Sequence, residues 1–126
     1  MTKIMVVDDE EDILYLVGAI LKKAGYEVTT VLSGEECLER LKSEKPDLIL
    51  LDIVMPEMDG WEVCKRIKED KETKDILVVM LTVVDEEEGI TKSFKYAKCD
   101  GHIIKPPISE KVLKTIEWVF KGKRGE

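Results

Sequence analysis

Four short apolar runs each end in a residue that can do chemistry. Lys3 to Val7 runs into Asp8-Asp9, and Leu48 to Leu51 runs into Asp52. Ile76 to Leu81 runs into Thr82, and Gly101 to Ile104 runs into Lys105-Pro106. If those runs are neighbouring strands, they gather three carboxylates, a hydroxyl and an ammonium at one place. A carboxylate at the end of a buried run is costly to desolvate unless something pairs with it. Several carboxylates in one cleft repel one another unless a cation joins them. Mg2+ suits such a cleft, because it takes oxygen ligands, keeps waters and bridges to phosphate. A carboxylate beside that cation and an ammonium can attack phosphorus and hold an aspartyl phosphate. Phosphoryl transfer asks mainly for positioning and charge neutralisation. Taken singly, each residue has a plainer reading. An Asp pair after a strand is commonly a turn, a strand-end Thr a cap, and a lone Lys a solvated charge. What favours a site is that all of them fall, in order, at the same end of the inferred strands.

The elements that must position these residues alternate in hydrophobic period. The runs 3–7, 27–32, 47–51, 76–81 and 101–104 read as strands, mostly apolar without alternation and so buried on both faces. Between them lie segments with helical spacing: 10–23, 34–43, 60–69, 85–97 and a last one starting at Ser109. Gly25 suits a helix C-terminus because it tolerates left-handed backbone angles. Ser33 followed by Glu36 has the spacing of a capping box. The acids of 85–88 suit the positive end of a helix dipole. Five strand–helix units imply an open parallel sheet with helices on both faces and right-handed crossovers. In such a sheet ligands bind outside the carboxyl ends of the strands, which is where the chemical residues fall.

The 126 residues suit one domain, 44% hydrophobic, with residues 1–121 forming it and 122–126 a polar tail. A net charge of -7 argues against direct nucleic-acid binding. No signal peptide or membrane-length apolar run is present, so a cytoplasmic location is expected. Cys37, Cys64 and Cys99 lack disulfide or metal-site spacing and read as small buried hydrophobes. Asn and Gln are absent and the surface is rich in Lys and Glu, a weak pointer to a heat-adapted source. Trp61 and Trp118 lie on helix stripes and read as packing residues, with an exposed Trp118 the one that would serve a partner.

The segments VVDDE (6–10), LILLDIVMPEMDG (48–60), VMLT (79–82) and IIKPP (103–107) together resemble a response-regulator receiver domain of two-component signalling. The resemblance covers residues 3 to about 120. It implies a flavodoxin-like fold with strand order 2-1-3-4-5. It implies that Asp52 is the phosphoacceptor and that Asp8 and Asp9 hold Mg2+ (or Mn2+ in its place). Asp9 would be the more direct ligand, with Asp52 and the backbone carbonyl of Val54 completing the set. Thr82 would hydrogen-bond the arriving phosphoryl group, and Lys105 would pair with the acids and then with the phosphate. Lys105-Pro106 would be a cis peptide, which proline alone makes cheap. The donor would be a phosphohistidine on a sensor histidine kinase or a small phosphodonor. The phosphoryl group would switch the face of the fourth helix, fifth strand and fifth helix toward an output protein or a fused output domain. The chain would be a monomer or a phosphorylation-dependent dimer, acting on itself rather than as a turnover enzyme.

Departures from the family pattern sharpen the reading. His102 stands where Phe or Tyr is usual, on a ring that swings inward as Thr82 moves. It acts there either as a pH-tuned switch or as a polar ring doing the same steric job. Val83 replaces a small residue beside the site, Lys98 a glycine, and Pro107 a Phe. Val54 and Val84 occupy positions that tune dephosphorylation, and being apolar they predict a slow loss of phosphate. Two other classes share the fold. An FMN electron carrier would want a phosphate-cradling loop where Asp8-Asp9-Glu10-Glu11 stands. A phosphatase with an Asp nucleophile would want an acid where Val54 stands.

Overall fold

The computed structural model describes residues 1–123. The strands are β1 (Lys3–Val7), β2 (Glu27–Val31), β3 (Leu48–Leu51), β4 (Leu77–Thr82) and β5 (Gly101–Ile104). The helices are α1 (Glu11–Lys23), α2 (Gly34–Arg40), α3 (Gly60–Glu69), α4 (Glu87–Lys95) and α5 (Ser109–Lys123). All strands pair in parallel in the order β2-β1-β3-β4-β5, the flavodoxin-like arrangement.

Strand alternation divides the apolar residues between two cores. Met5, Val7, Ile49, Leu51, Val78 and Met80 join Cys37, Val63, Cys64 and Ile67 of α2 and α3 on one face. Ile4, Val6, Leu48, Leu50, Val79, Leu81 and Ile103 join Val17 and Leu21 of α1 and Val112 and Ile116 of α5 on the other. Strands β1, β3 and β4 are covered on both sides, which is why their sequences are apolar at nearly every position. β2 lies at an edge and keeps polar, half-exposed residues.

Helix ends follow local chemistry. The Ser33 hydroxyl accepts from the Glu36 N–H at 3.1 Å, while the Glu36 carboxylate reaches back to the Leu32 N–H, one residue before the cap. Gly25 has φ 98°, and its N–H closes on the Lys22 carbonyl at 3.0 Å. Three helices differ from the periodic pattern. α2 stops at Arg40 and passes into turns short of Ser43, and α4 spans only Glu87–Lys95 within the 85–97 segment. α5 runs on through Gly122 to Lys123, so the polar stretch 122–126 begins inside a helix. Its remainder, 124–126, lies outside the described residues. Among the described residues no helix is long and apolar enough to cross a membrane.

Candidate active site at the carboxyl edge of the sheet

Backbone hydrogen bonds bring the strand ends level. The Asp52 N–H donates to the Val7 carbonyl at 3.0 Å, and the Lys105 N–H donates to the Thr82 carbonyl at 2.7 Å. Asp8, Asp52, Thr82 and Lys105 therefore sit side by side where β1, β3, β4 and β5 end. The turn after β3 is held equally close. The Gly60 N–H donates to the Ile53 carbonyl at 2.8 Å, and Asp59 caps α3 by accepting from the Glu62 N–H. A Cβ on Gly60 would lie 2.2 Å from the Asp52 carbonyl oxygen, so only glycine lets α3 start this near the strand end.

Lys105 Nζ is the centre of the charge cluster. It lies 2.8 Å from Asp8 Oδ2, 3.2 Å from Glu10 Oε1 and 3.5 Å from Asp52 Oδ2. The Lys105 side chain is only 7% exposed, so these charges meet in a poorly solvated place. Asp8 also accepts from the Glu10 N–H at 2.9 Å, and Asp52 from the Val54 N–H at 3.3 Å. Thr82 is fully buried, and its hydroxyl is among the groups that hold the Asp52 carboxyl down.

The cluster is short of positive charge. Burial pushes the Asp8 carboxyl up, more than Lys105 and the Glu10 N–H pull it down. Burial and the neighbouring Asp8 charge push Asp52 up, against Lys105, Thr82 and the Val54 N–H. Burial alone would lower Lys105, but Asp8, Asp52 and Glu10 together hold it above its ordinary value. Both kinds of shift point the same way: the pocket favours an added proton or cation. Carboxylate oxygens of Asp8, Glu10 and Asp52 lie within 4.8 Å of one another, a donor set that fits a hard, oxygen-seeking ion.

The other residues singled out in the sequence fall around this cluster. Asp9 is exposed and is not among the three clustered acids. Val54 is 57% exposed beside Asp52, and Val83 is likewise exposed. Val84 is half-buried, and its N–H approaches Thr82 Oγ1 at 3.4 Å. His102 has Nε2 2.9 Å from the Val84 carbonyl and Nδ1 3.1 Å from Ser93 Oγ. The Lys105-Pro106 peptide is cis. Lys98 adopts φ 63°, the left-handed region that glycine enters freely. Glu10 is what the sequence reading overlooked, having taken it as the start of a helix. Its signal was present, a third acid directly after the Asp pair. The Ser93 contact had no local signal, because its partners Trp61 and His102 come from two other elements, α3 and β5.

Comparison with known proteins agrees with this arrangement. The model of the response regulator receiver domain matches residues 4–117. The chain is 51% identical over 85 residues to the alkaline phosphatase synthesis transcriptional regulatory protein PhoP of Bacillus subtilis. That match takes in 68% of this chain and 35% of PhoP, so the chain spans about a third of that relative's length. It is 34% identical over 122 residues to Protein PilH of Pseudomonas aeruginosa, covering 97% of this chain and 100% of PilH. Among solved structures, chemotaxis protein CheY4 of Vibrio cholerae superposes with a TM-score of 0.88 at 34% identity. That superposition covers 94% of this chain and 98% of CheY4. Acids at the strand ends, a lysine drawn between them and a family match across nearly the whole sheet agree: the chain belongs to the receiver domains of two-component response regulators.

Proposed function

We propose that Asp52 accepts a phosphoryl group from the phosphohistidine of a sensor histidine kinase, or from a small phosphodonor such as acetyl phosphate. The observation that carries this is a buried Asp52 carboxylate 3.5 Å from the Lys105 ammonium, with Asp8 on the same lysine and buried Thr82 at the end of the next strand. One Asp52 oxygen attacks phosphorus and forms an acyl phosphate. With phosphohistidine the P–N bond breaks and its electron pair returns to the imidazole; with acetyl phosphate the P–O bond breaks and acetate leaves. Lys105 is already turned toward that oxygen and neutralises charge on the transferred group. Thr82 donates its hydroxyl to a phosphoryl oxygen.

Asp8, Asp9, Asp52 and the Val54 carbonyl are proposed to hold Mg2+, with Mn2+ as a substitute, and the position of Glu10 adds it to the candidates. Bound there, the ion would neutralise the acids and the incoming phosphate. The excess negative charge of the cluster supports this. Residues 1–121 are read as the receiver unit, and the output is a partner protein or a further domain reached through the α4-β5-α5 face. Unpaired, buried Cys37, Cys64 and Cys99 suit the reducing cytoplasm.

The test is incubation with acetyl phosphate and Mg2+, read by intact-protein mass spectrometry. One added phosphoryl group is expected, lost in Asp52→Asn and in Lys105→Ala strongly reduced. An unmodified wild-type chain, or an equally modified Asp52→Asn, overturns the reading.

A further inference from the structure

Helix α4 is attached to the molecule in an unusual way. Its one buried residue is Ser93, and that residue is polar. Phe94 and, just past the helix, Tyr96 point outward, 43% and 44% exposed. The Glu86 cap makes no side-chain hydrogen bond. Apolar burial therefore does little to hold this helix.

Hydrogen bonds take over that task. The Trp61 Nε1–H of α3 donates to Ser93 Oγ at 3.0 Å, and His102 Nδ1 of β5 meets the same oxygen at 3.1 Å. His102 Nε2, facing a carbonyl, carries a proton and donates to Val84 O at 2.9 Å. The Val84 N–H in turn faces Thr82 Oγ1. A continuous polar path thus runs from Thr82 through Val84, His102 and Ser93 to Trp61. The Ser93 hydroxyl accepts from Trp61 and can either donate to Nδ1 or accept from it. In the second case its proton turns to the Gly89 carbonyl, 3.3 Å away. Either way the node is satisfied. The packing is close as well: a Cβ on Gly89 would come within 2.4 Å of Val84 Cγ1. Lys92 covers the outside, with Nζ 4.3 Å from the centre of the Trp61 ring.

We propose that Ser93 is a positioning residue, a buried clasp that fastens α4 and the segment behind Thr82 to Trp61 and His102, and so links the Asp52 site to the Trp61 surface. The fastening itself stands on the hydrogen bonds alone. The link to Asp52 rests on the phosphoacceptor reading above. Two measurements separate them.

The first is hydrogen exchange of the full, unphosphorylated chain, wild type against Ser93→Ala. Removing the hydroxyl leaves the Trp61 N–H and His102 Nδ1 without their partner, so amides of 87–95 should exchange about tenfold faster. Amides of β1 and β3 should not change. A serine that merely fills helix space predicts the opposite sign, because alanine is the better helix former. Unchanged or slower exchange in α4, or an equal rise throughout the molecule, overturns the clasp. Trp61→Phe, which keeps the ring and removes only the N–H, should loosen α4 in the same direction.

The second measurement uses a Trp118→Phe background, where Trp61 is the sole tryptophan. Acetyl phosphate with Mg2+ should shift Trp61 emission in that protein, and neither in its Ser93→Ala variant nor in its Asp52→Asn variant. Equal shifts with and without the Ser93 hydroxyl overturn the link. A chain that mass spectrometry finds unphosphorylated overturns the phosphoacceptor reading and the link with it, while hydrogen exchange still decides the clasp.

Discussion

At the scale of the residue, Lys105 and Asp52 carry the proposed phosphoryl chemistry, and Val54 is the proposed brake on loss of the phosphoryl group. One ammonium faces three acids in a place that water reaches poorly, so the pocket favours added positive charge. Val54 lies beside the acceptor, exposed and without a polar atom on its side chain. That side chain cannot orient water for attack on an acyl phosphate. Val54→Asn should therefore shorten the lifetime of the Asp52 phosphate severalfold, measured by loss of the phosphorylated mass after the donor is removed. An unchanged half-life would count against Val54 as the brake. Val84 is the less clean site for such a test, because it packs against the core and its peptide bonds to His102. His102 uses both ring nitrogens in the direction of α4, so its departure from the usual Phe or Tyr is a change of bonding as well as of ring.

At the scale of the element, the turn from β3 into α3 is the least forgiving part of the site. Gly60 sits where any side chain would meet the Asp52 and Ile53 backbone. Gly60→Ala should cost about 2 kcal/mol or more in urea unfolding and slow phosphorylation as well, since the only relief is to move the acceptor. Full activity and stability in that variant would show the turn to be more compliant than its contacts indicate. The opposite case is Lys98, in the connection between α4 and β5. Its φ of 63° strains a residue with a Cβ, and its side chain is exposed. Lys98→Gly should stabilise the protein by about 1 kcal/mol without changing phosphorylation, again read by urea unfolding.

At the scale of the whole molecule, the site works against the fold that carries it. Asp8 and Asp52 have carboxyls raised above the ordinary 3.8, so between the unfolded and folded values the native chain binds more protons than the unfolded one. Their contribution to stability consequently falls as pH rises through that window. Asp52→Asn removes one of these charges, and the mutant should be the more stable by on the order of 1 kcal/mol at neutral pH. The advantage should shrink as pH is lowered into the carboxylate range, measured as the difference between the two unfolding midpoints. Mg2+ should raise the wild-type midpoint more at neutral than at acid pH, where protons compete for the same oxygens. A midpoint difference independent of pH would remove the electrostatic account. Much of this molecule could be read before its structure. Apolar runs ending in Asp8, Asp52, Thr82 and Lys105 are local signals, because a strand buried on both faces leaves no room for polar residues except at its ends. Helix and strand identities followed from period, and errors were confined to ends such as those of α2 and α4, where tertiary contacts decide how many turns survive. What only the tertiary structure decided is which groups meet. Parallel register levels the ends of β1 and β3 and places Glu10 on Lys105 in addition to the Asp residues. Chain crossovers bring α3, α4 and β5 around one serine hydroxyl. Such meetings depend on distances between elements far apart in the chain, which no local pattern of residues encodes.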